Sequence, residues 1–229
     1  IPAPDVNTNS QIMDWMVDEY SKITGDTTKA SFTGKSIENG GSLGRESATG
    51  QGGLYVLETV IESMDKSDEN FTYAVQGFGN VGAFFAELVQ ARFPNWKLVC
   101  VTDTSGGIVC EDGLDAHVLA DYKKNGGRFS DFTQDNVTHI ASEDIISTQA
   151  SILVLAALGG VVTAANSTLV RSEILVELSN GPVDLDAQIE LAGRGVIVVP
   201  DILANAGGVV VSYLEWLQNM QNDYWTLEV

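Results

Sequence analysis

The chain has 229 residues, 44% of them hydrophobic and 8% aromatic, enough to bury a full core as one large domain or one and a half. Acids outnumber bases 31 to 12, a formal net charge of −19 at pH 7, so nucleic acid and anionic membrane are poor partners. No run approaches the ~18 uninterrupted apolar residues that a transmembrane helix needs, so no membrane span is expected.

The acids are dispersed, and no D-x-D-x-D-G loop marks a calcium site. They read as a solvated acidic coat suited to high salt, where the Debye length falls to about 3 Å at 1 M, or as plain acidity. Cys100 and Cys110 lie in neighbouring strand-like runs without a C-x-x-C pair, which predicts two buried reduced thiols in a cytosolic protein. His117 and His139 are far apart and lack metal-ligand partners, so no metal is expected and both read as structural or surface residues. The opening Ile1-Pro-Ala-Pro has no Met and no basic-then-apolar start; it reads as the middle of a longer polypeptide without a visible signal peptide.

In chain order, Asn7-Thr8-Asn9 offers capping side chains to a helix over 9–24, with Ile12, Trp15, Met16, Val17, Tyr20 and Ile23 at largely helical spacing and Gly25 as its stop. Residues 26–53 are polar and glycine-rich, either a backbone that runs close to something or a flexible linker. Leu54, Leu57, Val60, Ile61 and Met64 mark a second amphipathic helix, within 48–64.

The strand-like run Phe71–Val75 then ends in Gln76-Gly77-Phe78-Gly79-Asn80-Val81-Gly82, and a helix follows over Ala83–Val89. In a strand–turn–helix that holds a pyrophosphate, Gly77 permits the tight turn, Gly79 admits the phosphates and Gly82 lets helix and strand pack closely. The anion sits at the helix N-terminus, where free N–H groups and the macrodipole favour negative charge. A second strand, Lys97–Thr102, ends in Asp103, where such a unit places the carboxylate for the adenine ribose.

Further strands are expected over Gly107–Cys110, Ile152–Leu155, Glu173–Glu177 and Val196–Val199, and a helical stripe over Leu114, Val118, Leu119 and Tyr122. The alternation predicts an α/β fold with a doubly wound, mostly parallel, Rossmann-like sheet and flanking helices. A long apolar helix, Val209–Gln221, leaves the sheet. In an open parallel sheet the ligand lies outside the carboxyl ends of the strands, so segments 77–82, 103–107, 156–160, 178–182 and 200–208 should converge on one crevice. Asn180 and Asn205 stand at two of these ends, where an amide can bond ribose or carboxamide, or where Asn-Gly simply makes a turn.

The chain resembles the Glu/Leu/Phe/Val dehydrogenase family, and within it the glutamate dehydrogenases. The resemblance covers essentially all residues: Pro2-Ala-Pro-Asp5, Gly40-Gly-Ser-Leu-Gly-Arg45 with Ala48-Thr49-Gly50, Gln76–Gly82, Ala156–Gly160, Ser179-Asn180-Gly-Pro182 and Pro200–Gly208 with Val211-Ser212-Tyr213. It implies NAD or NADP as cofactor, L-glutamate, 2-oxoglutarate and ammonia as reactants, a cytoplasmic location and a hexameric full-length enzyme. It also implies that Asp5 shuttles a proton to and from the substrate nitrogen; the alternative reading of Asp5 is a helix-start acid. Arg45 and Ser212 match substrate-side positions, and Thr49 matches the residue that binds the nicotinamide carboxamide. Gly77, Phe78, Gly79, Asn80, Val81 and Gly82 match the pyrophosphate turn, while Asn180 and Asn205 match cofactor contacts.

By the same resemblance, residues 1–229 form a C-terminal nucleotide-binding portion: a helical lead-in over 1–65, a Rossmann core over 66–203 and a hinge helix over 204–229. An N-terminal substrate domain with the family's lysines lies outside it. Asp103 leans the cofactor to NAD, since a carboxylate repels a 2′-phosphate. Alternatives are a leucine- or phenylalanine-type dehydrogenase and a non-catalytic nucleotide-binding module. Two departures stand out: Leu155 replaces an expected proline, and Leu178-Ser179 replaces an expected Gly-Ala beside Asn180. Their bulk would either weaken adenosine binding or be absorbed by a shifted loop.

Overall fold

The computed structural model describes residues 1–5 and 8–227. It divides into two compact units, Thr49–Ala206, and Ile1–Ala48 with Gly207–Val229. The first unit carries a seven-stranded sheet of β1 (Thr72–Gln76), β2 (Lys97–Asp103), β3 (Gly106–Leu114), β4 (Thr138–Ile140), β5 (Ile152–Leu155), β6 (Ile174–Glu177) and β7 (Ile197–Val199), in the order β4-β3-β2-β1-β5-β6-β7. The five strands β2, β1, β5, β6 and β7 run parallel, and β3 and β4 add an antiparallel edge.

Residues of β5 and β6 are buried at every position, as strands covered on both faces require. Side chains alternate between two cores. Tyr73, Val75, Ile152, Val154, Ile174 and Val176 face α2 (Ala48–Ser63) and α3 (Asn80–Arg92), meeting Leu57 and Phe85. Ala74, Leu153, Leu155 and Leu175 face the other way, toward Ala187 and Leu191 of α5 (Leu185–Gly193). From β1 the chain moves to β2 on one side, and β5 joins β1 on the other. A crevice at that reversal is the usual ligand site of an open α/β sheet.

Several boundaries differ from those expected. The strand expected at 107–110 extends over Gly106–Leu114, because the tight turn after Asp103, with Gly106 at φ 126°, folds it back along β2. Leu114 therefore ends a strand; α4 (Ala116–Lys124) starts after Asp115, whose carboxylate accepts from the N–H groups of His117 and Val118. Strands β6 and β7 each start one residue later than expected, and α3 starts at Asn80, which puts Gly82 inside its first turn. Both cysteines are free and buried, as anticipated.

The end of the glycine-rich stretch, from Ala48 to Gly53, is helical, and a short 3-10 turn covers Ile37–Asn39. Helix α2 includes Gly50, Gly52 and Gly53, each costing roughly 0.5–1 kcal/mol relative to alanine in a helix. A Cβ at Gly50 would stand 2.9 Å from the Phe85 backbone nitrogen, and one at Gly53 would stand 2.4 Å from Leu178 Cδ2. Bare backbone is what lets α2 lie this close to α3 and β6. At these positions the close-approach alternative holds and the linker alternative fails.

In the second unit, α1 (Ser10–Thr24) is capped by Asn9, which accepts from Ile12 N–H, and closed by Gly25 at φ 73°. Asn7 lies outside the described residues. Helix α7 (Ala206–Gln221) begins three residues before the expected Val209, directly after the single turn α6 (Asp201–Ala204). Among the described residues no helix is long and apolar enough to cross a membrane.

Glycine spacing generates a paired prediction. A Cβ at Gly82 would lie 1.9 Å from the Gly77 carbonyl oxygen, whereas one at Gly193 meets nothing within 4 Å. Gly82→Ala should lose about 1–3 kcal/mol by overpacking. Gly193→Ala should be neutral or gain about 0.4–1 kcal/mol through the unfolded chain. Urea unfolding of the two variants checks this; equal stabilities would contradict the close helix–strand packing.

Candidate functional site

The carboxyl ends of the parallel strands carry a cradle built around the glycine turn. Gly77 has φ 86°, its N–H donates to the Thr102 carbonyl at 2.7 Å, and a Cβ there would meet Ala157 Cβ at 2.7 Å. Gly79 is the N-cap of α3 and offers no side-chain cap; a Cβ at Gly79 meets nothing within 4 Å, so open space lies over the helix start. Phe78 turns inward, 3% exposed and edge-on to Phe129 at 5.7 Å, leaving its backbone to the cradle. Val81 packs half-buried against the core, and Asn80 is exposed. The uncapped first-turn N–H groups and the helix dipole thus face open space, an arrangement that fits a pyrophosphate. Behind the turn, Gln76 Oε1 and Thr102 Oγ1, on register partners of β1 and β2, are buried without hydrogen-bond partners among the described residues.

The other strand-end loops adjoin this turn. Gly160 N–H donates to the Gly181 carbonyl at 2.8 Å, and a Cβ at Gly159 would stand 3.0 Å from the Asn180 carbonyl oxygen. Asn205 Nδ2 donates to Asn180 Oδ1 at 2.8 Å, so two side chains 25 positions apart form one amide pair. Thr49 is half-buried in the first turn of α2.

Asp103 is more engaged than its sequence position suggests. Its carboxylate accepts from Ser105 N–H at 2.7 Å and Ser105 Oγ at 2.5 Å, and pairs with Lys123 Nζ at 2.5 Å. Partial burial alone would raise its pKa, but the Lys123 ammonium and the Ser105 donors outweigh it and hold the carboxyl below its ordinary range. Lys123 also lies 5.0 Å from the Phe129 ring centroid.

Both departures from the family pattern are absorbed inward. Leu155 is fully buried in the core on the α5 side. Leu178 is 4% exposed and occupies the space that Gly53 leaves on α2. Ser179 donates its hydroxyl to the carbonyls of Leu155 and Leu158, at 3.2 and 3.3 Å. Neither leucine projects into the cradle.

The remaining candidates belong to the other unit. Arg45 Nε donates to Ser212 Oγ at 2.8 Å, joining two expected substrate-side residues. Burial draws the Arg45 pKa down, and the Glu215 charge opposes the shift. Asp5 is exposed; its N–H donates to Thr8 Oγ1 at 2.6 Å, and its carbonyl accepts from Thr8. Under Arg45 and Ser212 lies a fully buried ion pair, Lys35 Nζ to Glu215 Oε1 at 2.7 Å, with both side chains 0% exposed. Glu215 Oε2 also accepts from Gly34 N–H at 2.8 Å, and Lys35 donates to the Phe32 carbonyl at 2.5 Å. Asn219, one turn further along α7, donates to the Gly40 carbonyl at 2.7 Å.

Sequence reasoning missed Lys123, Glu177, Asp201 and the Lys35–Glu215 pair. A carboxylate closing the apolar run Ile174–Glu177 was the available signal for one of them. The others depend on pairings across long separations that no spacing encodes. Among the described residues, no group of His, Cys, Asp and Glu could hold a metal ion.

Comparison with known proteins places this geometry in context. The pattern of the Glutamate/Leucine/Phenylalanine/Valine dehydrogenase family matches residues 40–229. The chain is 43% identical over 228 residues to a glutamate dehydrogenase of Thermotoga maritima, covering 100% of this chain and 54% of that protein. It is 42% identical over 228 residues to the catabolic NAD-specific glutamate dehydrogenase of Bacillus subtilis, covering 100% of this chain and 53% of that one. The crystal structure of a hetero-hexameric glutamate dehydrogenase from Thermus thermophilus matches with a TM-score of 0.87 at 34% identity, over 99% of this chain and 52% of that one. A Plasmodium falciparum glutamate dehydrogenase matches with a TM-score of 0.89 at 27% identity, over 99% of this chain and 50% of that one. The chain therefore spans about half the length of the curated relatives it matches.

Proposed function

The chain belongs to the Glutamate/Leucine/Phenylalanine/Valine dehydrogenase family, and on that premise we propose that the full-length protein is an NAD(P)-dependent glutamate dehydrogenase, interconverting L-glutamate with 2-oxoglutarate and ammonia. The observation that carries this is 43% identity to a glutamate dehydrogenase along the entire chain. Residues 1–229 act as the C-terminal nucleotide-binding portion, with a lead-in over 1–65, a Rossmann core over 66–203 and a hinge helix over 204–229. A substrate domain outside this chain supplies the lysines that hold the substrate carboxylates. The working form is a cytoplasmic hexamer; the two free, buried cysteines support a reducing compartment, and the Thermus relative is named hetero-hexameric.

Each residue has a definite task. Gly77, whose own N–H is held by the Thr102 carbonyl, sets the turn, and Phe78, Gly79, Asn80, Val81 and Gly82 present backbone N–H groups to the pyrophosphate. Asp103 takes the adenine ribose, Thr49 the carboxamide, and Asn180 with Asn205 the nicotinamide end. Bound NAD(P) supplies the hydride acceptor. Arg45 and Ser212 orient the anionic substrate, and Asp5 moves a proton to and from its nitrogen. In the full-length protein, glutamate-dependent reduction of NAD is the direct test, with leucine and phenylalanine as competitors; turnover of leucine above glutamate would overturn the assignment. Asp5→Asn should lower kcat by about 10²-fold or more while leaving NADH affinity nearly unchanged. Near-wild-type turnover would remove Asp5 from the mechanism.

Cofactor preference leans to NAD. The Asp103 carboxylate supports it, as does the NAD-specific name of the Bacillus relative. The ion pair with Lys123 sharpens the test, because Asp103→Ser leaves that ammonium free for a 2′-phosphate. The ratio of kcat/KM for NAD over NADP should then fall by about tenfold, the equivalent of about 1.4 kcal/mol. An unchanged ratio would show that Asp103 does not read the ribose.

The acidic coat, net −19, is proposed as an adaptation to strong salt. Tm should climb as KCl rises to about 1 M, since the Debye length shrinks to about 3 Å and self-repulsion is screened. A Tm that stays flat or falls would leave the protein merely acidic.

A further inference from the structure

Asp201 occupies an unusual position. It is half-buried at the start of α6, within the strand-end segment 200–208. Its side chain reaches two places: Oδ2 accepts from Gly181 N–H at 2.8 Å, and Oδ1 accepts from Ile202 N–H at 2.6 Å. Its main chain reaches two more. Asp201 N–H donates to Glu177 Oε2 at 2.8 Å, and its carbonyl accepts from Asn205 N–H at 3.0 Å. One residue thus holds the backbone of the turn that carries Asn180 and the backbone of Asn205.

We propose that Asp201, anchored by Glu177, is a positioning residue for the cofactor: it sets the Asn180–Asn205 amide pair in the pose that receives the nicotinamide–ribose end. The proposal rests on the function given above. Gly181 sits at φ 56°, and a Cβ there meets nothing within 4 Å, so side-chain packing does not constrain its conformation. Two hydrogen bonds constrain it, the one to Asp201 and the one its carbonyl accepts from Gly160 N–H at 2.8 Å. The amide pair spends one carbonyl oxygen and one NH₂ on itself. Whichever way the two amides are oriented, a donor NH₂ remains on one side chain and an acceptor oxygen on the other. Ribose hydroxyls and a carboxamide need that combination, and it is offered only while both backbones are fixed relative to each other.

Glu177 supports the hub from below. It is 1% exposed at the end of β6, and Gln188 Nε2 donates to its other oxygen at 3.3 Å. Burial is the main cause that raises the Glu177 pKa, and the nearby Asp201 charge adds to it, while the N–H of Asp201 and Gln188 act against it. Asp201, for its part, remains at the rim and faces the turn.

The test uses the full-length protein, reading the Kd for NADH by fluorescence and the KM values for NAD and glutamate. Asp201→Ala should raise the Kd for NADH and the KM for NAD about tenfold, the scale of one lost charge-assisted hydrogen bond, and leave the glutamate KM within about twofold. Asp201→Asn, whose amide oxygen can still accept from Gly181 N–H, should stay within about threefold of wild type. Asp201→Ser serves if the alanine variant does not fold: its hydroxyl can cap Ile202 but falls short of Gly181, so its NAD KM should rise as in Asp201→Ala. Unmoved cofactor constants in Asp201→Ala or Asp201→Ser, or an asparagine variant as impaired as alanine, would overturn the proposal while the dehydrogenase activity of the parent stands. A glutamate KM that rises in step with the NAD KM would also overturn it, as general damage. Wild-type protein that neither binds NADH nor oxidises glutamate would overturn the function itself.

Discussion

The approach of Gly82 to the Gly77 carbonyl is the constraint on which the sheet unit's site depends. With no Cβ at position 82, the first turn of α3 lies directly against the end of β1, and a side chain there would come within 1.9 Å of a carbonyl oxygen. That contact fixes where the helix starts. Gly79 then falls at the N-cap with open space above it, and the first N–H groups of the helix are left for an anion instead of a capping side chain. Phe78 contributes by turning away, since its ring in the core against Phe129 holds the turn from below. The same economy of side chains recurs at Gly50 and Gly53, where α2 lies against α3 and leaves room for Leu178. Helix, turn and strand end are thus positioned by missing side chains more than by added interactions.

In the other unit a buried charge pair has the corresponding role. Two desolvated ions are costly unless their geometry and remaining hydrogen bonds are satisfied, and breaking such a pair by removing one partner typically costs about 3–5 kcal/mol. Lys35 and Glu215 meet that condition through the Phe32 carbonyl and the Gly34 N–H. Ser212, Glu215 and Asn219 recur every three or four residues along α7, so they share one face. All three bond to segment 34–45 or to Arg45 itself. Arg45, through Ser212, therefore stands on a braced base.

Fold class was legible from the sequence because the strands are short, apolar and separated by helical stripes, and because Gly77–Gly82 sits between a strand and a helix. Ile152–Leu155 matched residue for residue, since four consecutive β-formers leave little freedom in placing the ends. The antiparallel β3 was underestimated: Glu111-Asp112-Gly113 looks like a terminator, and only pairing with β2 keeps the strand going to Leu114. In the candidate site, the glycine turn and the two asparagines could be read because turn chemistry demands particular residue types. Lys123 on Asp103, Asp201 on Gly181 and Lys35 on Glu215 could not, because each joins positions that only the folded chain brings together. Leu155 and Leu178 show the converse case, conspicuous in sequence and buried in the core once folded.

In the proposed function a dinucleotide rests on the uncapped start of α3 and is flanked by the loops at the strand ends. Hydrogen exchange of backbone amides, followed by mass spectrometry with and without saturating NADH in molar KCl, tests it most directly. Exchange should slow at 77–82, 103–107, 156–160, 178–182 and 200–206 and around Thr49, with α5 and β4 unchanged. Saturating NADH that leaves exchange at 77–82 unaltered, or protects only segments away from the strand ends, would contradict it.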